Sequence, residues 1–208
     1  MKILILGATG PTGQLLVQQA LDKFYQITAL VRNPAKFNLS HKNLTVIKGD
    51  VLDKTSLTKA LMEQDAVLSA LGTGALLQSS NLMLHAITHL IPAMQAANVQ
   101  RVILLSAFGV GATFAQANFI QKIIFSLPLK NIYADKAKAN ALLGNSALNW
   151  TIVCPVKLTN GPYTGLCNAA EKLPMRGMPK ISRADVASFM LQQLTGDSFL
   201  QKTVVIKS

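Results

Sequence analysis

The stretch KILILGATGPTGQLL, Lys2–Leu16, sets a short apolar run directly against three glycines and then a helical pattern. Ile3–Leu6 reads as a strand, since a brief, continuously apolar run that ends in a glycine turn suits a strand covered on both faces. Gly7, Gly10 and Gly13 are spaced G-x-x-G-x-x-G, unlike the G-x-G-x-x-G of ordinary dinucleotide-binding turns. The physical demand is the same. The chain must turn sharply off the strand, its backbone must come close to a diphosphate, and the next helix must lie close to the sheet. Amides at the helix start, aided by the helix dipole, then face the anion. Thr9 and Thr12 add hydroxyl donors, and Pro11 suits a first helical turn, where its missing N–H costs little. A turn whose glycines serve packing alone is the competing reading, and the strand–turn–helix context favours phosphate.

Outward from this turn, apolar runs alternate with helical patterns. The runs are 27–31, 44–48, 66–71, 101–106 and 150–154, with KTVVIK closing the chain. Helical periodicity lies near 12–22, 54–63, 79–97, 115–126 and 132–144, and again from Ser182, where Asp185 stands at capping-box spacing. Continuous rather than alternating apolar runs predict parallel strands with helices on both faces, a single Rossmann-like α/β domain over 1–208. Residues 155–180 carry four prolines and predict a long irregular loop over a substrate site.

Of the 208 residues, 50% are hydrophobic and 14% charged, which suits a substantial core and excludes wholesale disorder. No apolar stretch reaches spanning length, so no membrane association is expected, and a cytoplasmic protein is. The net charge of +11 comes from scattered basic residues without interleaved aromatics. That pattern points to a small polyanion such as a dinucleotide rather than to nucleic acid. Cys154 and Cys167 are expected as free thiols. His85 and His89 share a helix face without an acidic neighbour at motif spacing, so no metal site is expected.

The end of the second strand bears on the cofactor. An acidic residue there would bind the ribose hydroxyls of NAD, whereas an arginine accommodates a 2′-phosphate. Arg32 follows the strand and Lys36 lies just beyond a proline turn, which favours NADP(H). Asp50 and Val51 are placed against the adenine, and Asp53 is a helix N-cap. Leu71, Gly72 and Gly74 let the backbone run close to the ribose and diphosphate. Ser106, after the fifth strand, is a hydroxyl beside the nicotinamide and the reacting centre, or else a strand-end serine satisfying backbone groups. Tyr133 and Lys136 are three apart, not the four of the short-chain reductase pair. Lys136 is therefore assigned to the nicotinamide ribose, and Tyr133 to packing or a loop.

Together GATGPTG, LVRNPAK, GDVLD, QDAVLSALGT, SAFG, ALNWTIVCPVKLTNGPYTG and ISRADVASFML carry a resemblance. The chain resembles the atypical short-chain dehydrogenase/reductases of NAD(P)-binding, NmrA-like type, and most of all the flavin reductase, or biliverdin-IXβ reductase, family. The resemblance implies cofactor contacts at Gly7, Thr9, Gly10, Thr12, Gly13, Arg32, Asp50, Val51, Leu71, Gly72 and Ser106, with Pro155 beside the nicotinamide. It also implies a site role for the residue after Val156. The family pattern PPHI has a histidine there and this chain has PVKL, so Lys157 becomes the candidate anion-binding or proton-donating group, with Ser106 as its catalytic companion.

The implied activity is NADPH-dependent hydride transfer to a flat, electron-poor acceptor such as a flavin, a quinone or a linear tetrapyrrole, by a monomer or weak homo-oligomer. The alternative is a non-enzymatic NADP-binding sensor of NmrA-like type. A sugar-nucleotide epimerase is disfavoured for want of the catalytic tyrosine.

Overall fold

The computed structural model describes residues 1–72, 81–117, 121–122 and 129–208. Ten strands and five α-helices follow one another along these residues. β1 (Lys2–Leu6), α1 (Pro11–Asp22), β2 (Gln26–Val31) and β3 (Leu44–Lys48) form the first half of the sheet. α2 (Lys54–Leu61), β4 (Ala66–Ser69), α3 (Leu82–Ala96), β5 (Arg101–Leu105), α4 (Lys130–Gly144) and β6 (Asn149–Pro155) form the second. β7 (Lys157–Thr159), β8 (Asn168–Ala170), β9 (Lys180–Ser182), α5 (Arg183–Gln192) and β10 (Lys202–Lys207) complete the chain.

The main sheet runs in the order β3-β2-β1-β4-β5-β6-β10-β8, and β7 and β9 pair separately. Every pairing in it is parallel except that of β10 with β8. This is the Rossmann-like α/β arrangement expected from the apolar runs. α1 and α5 lie on one face of the sheet and α2, α3 and α4 on the other. Accordingly α1 packs on α5, and α3 packs on both α2 and α4.

The central strands carry the core. Ile3, Leu4, Ile5 and Leu6 are all fully buried, and α1 lays Leu16, Val17 and Ala20 onto them. Each such aliphatic side chain contributes roughly 1.5–3 kcal/mol through removal from water. A charge at Ile5 would therefore have no tolerable place.

Two expectations about texture need correction. The continuous apolar run 44–48 suggests a strand covered on both faces, but β3 is an edge strand and Val46 is exposed. The segment 155–180 is not wholly irregular, because it contains β7 and β8 and the start of β9. The helix read at 115–126 falls mostly outside the described residues. Within them, Gly111–Gln116 is a 3-10 helix. No helix among the described residues is long and apolar enough to cross a membrane.

Candidate functional site

The crossovers reverse direction between β1 and β4, and at such a switch point a crevice opens at the carboxyl ends of the strands. Here it is a cleft of about 450 Å³, reached by the loops after β1, β2, β3, β4 and β5.

At its centre Gly7 leaves β1 with φ +76°, and a Cβ there would stand 2.6 Å from the Ala70 carbonyl oxygen. A Cβ on Gly13 would lie 2.0 Å from the carbonyl oxygen of Gly7, so the first turn of α1 rests directly on the glycine turn. Gly10 is the N-cap, Pro11 opens the helix, and no side chain caps it. Thr9, Gly10, Pro11 and Thr12 line the cleft at that helix start. The arrangement fits a diphosphate, with the helix-start backbone and dipole facing the cleft.

Toward β2 and β3, Val31, Arg32, Gly49, Asp50 and Val51 form the wall. Arg32 is exposed at the rim. Asn33 accepts from the Ala35 amide at 3.1 Å and fixes the 3-10 turn Pro34–Lys36, whose Lys36 is exposed and lies outside the cleft lining. Asp50 Oδ1 accepts from the Leu52 amide at 2.9 Å. Asp53 caps α2 by accepting from the Thr55 and Ser56 amides, and these bonds with the Ser56 hydroxyl hold its carboxyl below the usual range. Leu71 and Gly72 close the floor after β4, while Gly74 lies outside the described residues.

At the opposite end stand Leu105, Ser106, Lys136, Leu158 and Arg183. Ser106 is buried, donates its amide to Val153 O at 2.8 Å, and accepts from Asn140 Nδ2 at 2.9 Å through Oγ. Cys154 is a free, buried thiol beside it, pushed up to about 12 by burial against the opposing pull of Lys136 and the Ser106 hydrogen bond. Cys167 is likewise free.

Lys136 projects from α4, half-buried, and burial pulls its ammonium below the usual lysine value while Cys154 and Asp135 oppose that shift. Its helix is held by Asp135, whose two oxygens accept from the Met83 and Leu84 amides at the start of α3, each at 3.0 Å. Tyr133 lies within α4 rather than a loop and is absent from the cleft lining. Burial, with Cys154 nearby, pushes its phenol up to about 12.

The cleft thus gathers Gly7, Thr9, Gly10, Thr12, Arg32, Asp50, Val51, Leu71, Gly72, Ser106 and Lys136. Gly13 acts one layer behind, through packing. Pro155 is buried in β6, and neither it nor Lys157 lines the cleft. Lys157 is exposed on β7, in register with Lys180, and Leu158 takes the cleft-facing place. Successive strand residues point to opposite faces, so facing Leu158 inward turns Lys157 outward.

Sequence reasoning missed Leu158, Asn140 and Arg183. Arg183 is the first residue of α5 and donates through Nη1 to Asn160 Oδ1 at 2.6 Å. The start of α5 is fixed by a reciprocal pair. Ser182 Oγ accepts from the Asp185 amide at 2.9 Å and donates to Asp185 Oδ2 at 2.7 Å. Asp185 also accepts from the amides of Thr164 and Gly165 and from the Thr164 hydroxyl, each at 2.9 Å, which ties the loop after β7 to the helix.

Comparison with known proteins agrees with this geometry. Residues 7–197 match the pattern described as NAD(P)H-binding, and the chain belongs to that family. It is 30% identical to an uncharacterized sugar epimerase, YhfK, of Bacillus subtilis, over 93% of this chain and 88% of that one. It is 27% identical to a phenylcoumaran benzylic ether reductase of Populus trichocarpa over 73% of this chain, which spans 47% of that longer protein. The crystal structure of an oxidoreductase from Lactococcus lactis superposes with a TM-score of 0.84 at 26% identity, covering 100% of this chain and 91% of that one.

Proposed function

We propose that this member of the NAD(P)H-binding family is an NADPH-dependent reductase of flavin-reductase-like character, acting on a flat, electron-poor acceptor. The carrying observation is one continuous cleft with an arginine, Arg32, at the β2 end and Ser106 and Lys136 at the β5 end. In this reading Arg32 holds the 2′-phosphate, the start of α1 holds the diphosphate, and Lys136 holds the nicotinamide ribose hydroxyls. A bound nicotinamide supplies the hydride chemistry, and the chain supplies position. Leu105 and Leu158 provide apolar walls for a planar acceptor, and Ser106 offers a hydroxyl to the atom that gains charge. Lys157 has no part in this arrangement, because it faces away from the cleft.

The reductase name of the Populus relative supports the reading. An epimerase would need an acid–base group beside the sugar, and Tyr133 is poorly suited with its phenol near 12 and outside the cleft lining. The deciding experiment follows NADPH oxidation with FMN, quinones and biliverdin as acceptors. Turnover above background with a planar acceptor is expected; background rates with all of them reject the proposal.

A further inference from the structure

Arg183 occupies a setting in which no negative charge among the described residues offsets its own. It is the first residue of α5, where the positive end of the helix dipole disfavours a cation. It is only partly exposed, and no carboxylate among the described residues pairs with it. Its hydrogen-bond partner is neutral, the Asn160 side-chain oxygen at 2.6 Å. The nearest acid in sequence, Asp185, has its oxygens engaged by Ser182, Thr164 and Gly165. A guanidinium carries five N–H donors, and Asn160 fixes the fork while leaving most of them for the cleft that Arg183 lines beside Leu158.

We propose that Arg183, oriented by Asn160, forms a subsite for an anionic substituent, a carboxylate or a phosphate, carried by the electron acceptor. The inference rests on the reductase reading, in which the start of α1 and Arg32 take the cofactor's own phosphates and leave Arg183 for the second substrate. A planar fork pairs with either anion bidentately, so the subsite selects among flat acceptors of similar redox core by their charged tails.

The test compares matched pairs of acceptors binding to protein saturated with NADP⁺, by calorimetry. FMN against riboflavin isolates a phosphate, and biliverdin against its dimethyl ester isolates carboxylates. The wild type is expected to prefer the anionic member of at least one pair by roughly tenfold or more. Arg183→Met should abolish that preference while leaving NADP⁺ affinity unchanged, and Arg183→Lys should retain part of it. Asn160→Asp, which sets a carboxylate against the guanidinium, should abolish it with the arginine still present, and this variant carries the test should Arg183→Met fail to fold. No preference in the wild type, no binding of any of the four compounds, a preference that survives Arg183→Met, or a loss of NADP⁺ affinity in that variant would each overturn the subsite. Because binding needs no turnover, an anion preference without NADPH oxidation rejects the reductase reading and keeps the subsite.

Discussion

Asn140 Nδ2 donates to Ser106 Oγ at 2.9 Å, joining the middle of α4 to the end of β5 at the wall of the cleft. With one lone pair of the serine oxygen occupied by Asn140, the hydroxyl orientation is constrained, and its proton is shared between the neighbouring Cys154 thiol and an acceptor in the cleft. The Ser106→Ala variant should therefore lower kcat by about 100-fold, the scale seen when one positioned donor to developing charge is removed. NADPH affinity should change little. Asn140→Ala, which leaves the hydroxyl present but unheld, should give a smaller loss in kcat. Equal losses in both variants, or a loss confined to KM, would refute the positioning role.

Gly13→Ala tests the turn. Its Cβ would stand 2.0 Å from the Gly7 carbonyl oxygen, an approach that only a shift of α1 or of the turn can relieve. α1 buries Leu16, Val17 and Ala20 in the core, so that shift disturbs packing as well as the diphosphate cradle. Overpacking of this kind typically costs about 1–3 kcal/mol. A lower melting temperature together with lost dinucleotide binding is expected, and a variant that binds NADPH normally would show that the close approach is dispensable.

The legible part of this protein is the part written locally. Ile3–Leu6 followed by Gly7, Gly10 and Gly13 specifies strand, turn and helix within a dozen neighbours, and the caps at Asp53 and Ser182 sit where their spacing put them. What was hidden depends on distant pairing. β8 joins the sheet only through β10, more than thirty residues away, and a three-residue strand such as β7 has no periodicity to read. Whether Lys157 or Leu158 faces the cleft is a matter of one-residue parity on that strand, fixed by its register with β9. Arg183 left one trace in the sequence, a cation placed directly after a capping serine, where dipole physics disfavours it.

Asp185 makes a pH prediction. Burial raises its carboxyl, but the hydrogen bonds from Ser182, Thr164 and Gly165 outweigh burial and leave it below the ordinary carboxylate value. A group with a depressed folded pKa binds more protons when unfolded. Its stabilisation is thus complete above the unfolded value of about 3.9 and is lost as pH falls through the folded one. Asp185→Asn should destabilise the protein at neutral pH by roughly 1.5–3 kcal/mol, as expected for hydrogen bonds to a charged group. The gap in melting temperature between the two proteins should narrow below about pH 4 as the wild-type carboxylate protonates. A gap that stays constant with pH would mean that Asp185 acts by shape alone.

In the proposed reading, Arg32 separates the two nicotinamide dinucleotides. It stands exposed at the end of β2, where an acidic residue would instead take the ribose hydroxyls of NADH. No carboxylate among the described residues pairs with it, so its fork is available at the rim of the cleft. A charge-assisted contact to a 2′-phosphate is worth about 1.5–3 kcal/mol, which corresponds to roughly 10- to 150-fold in affinity. Arg32→Ala should weaken NADPH by that factor and NADH by no more than about threefold, since NADH offers no phosphate to lose. Salt should weaken NADPH binding to the wild type more than to the variant, because exposed charge pairs are screened. Parallel losses for both dinucleotides would place Arg32 in the architecture of the β2 turn rather than on the phosphate.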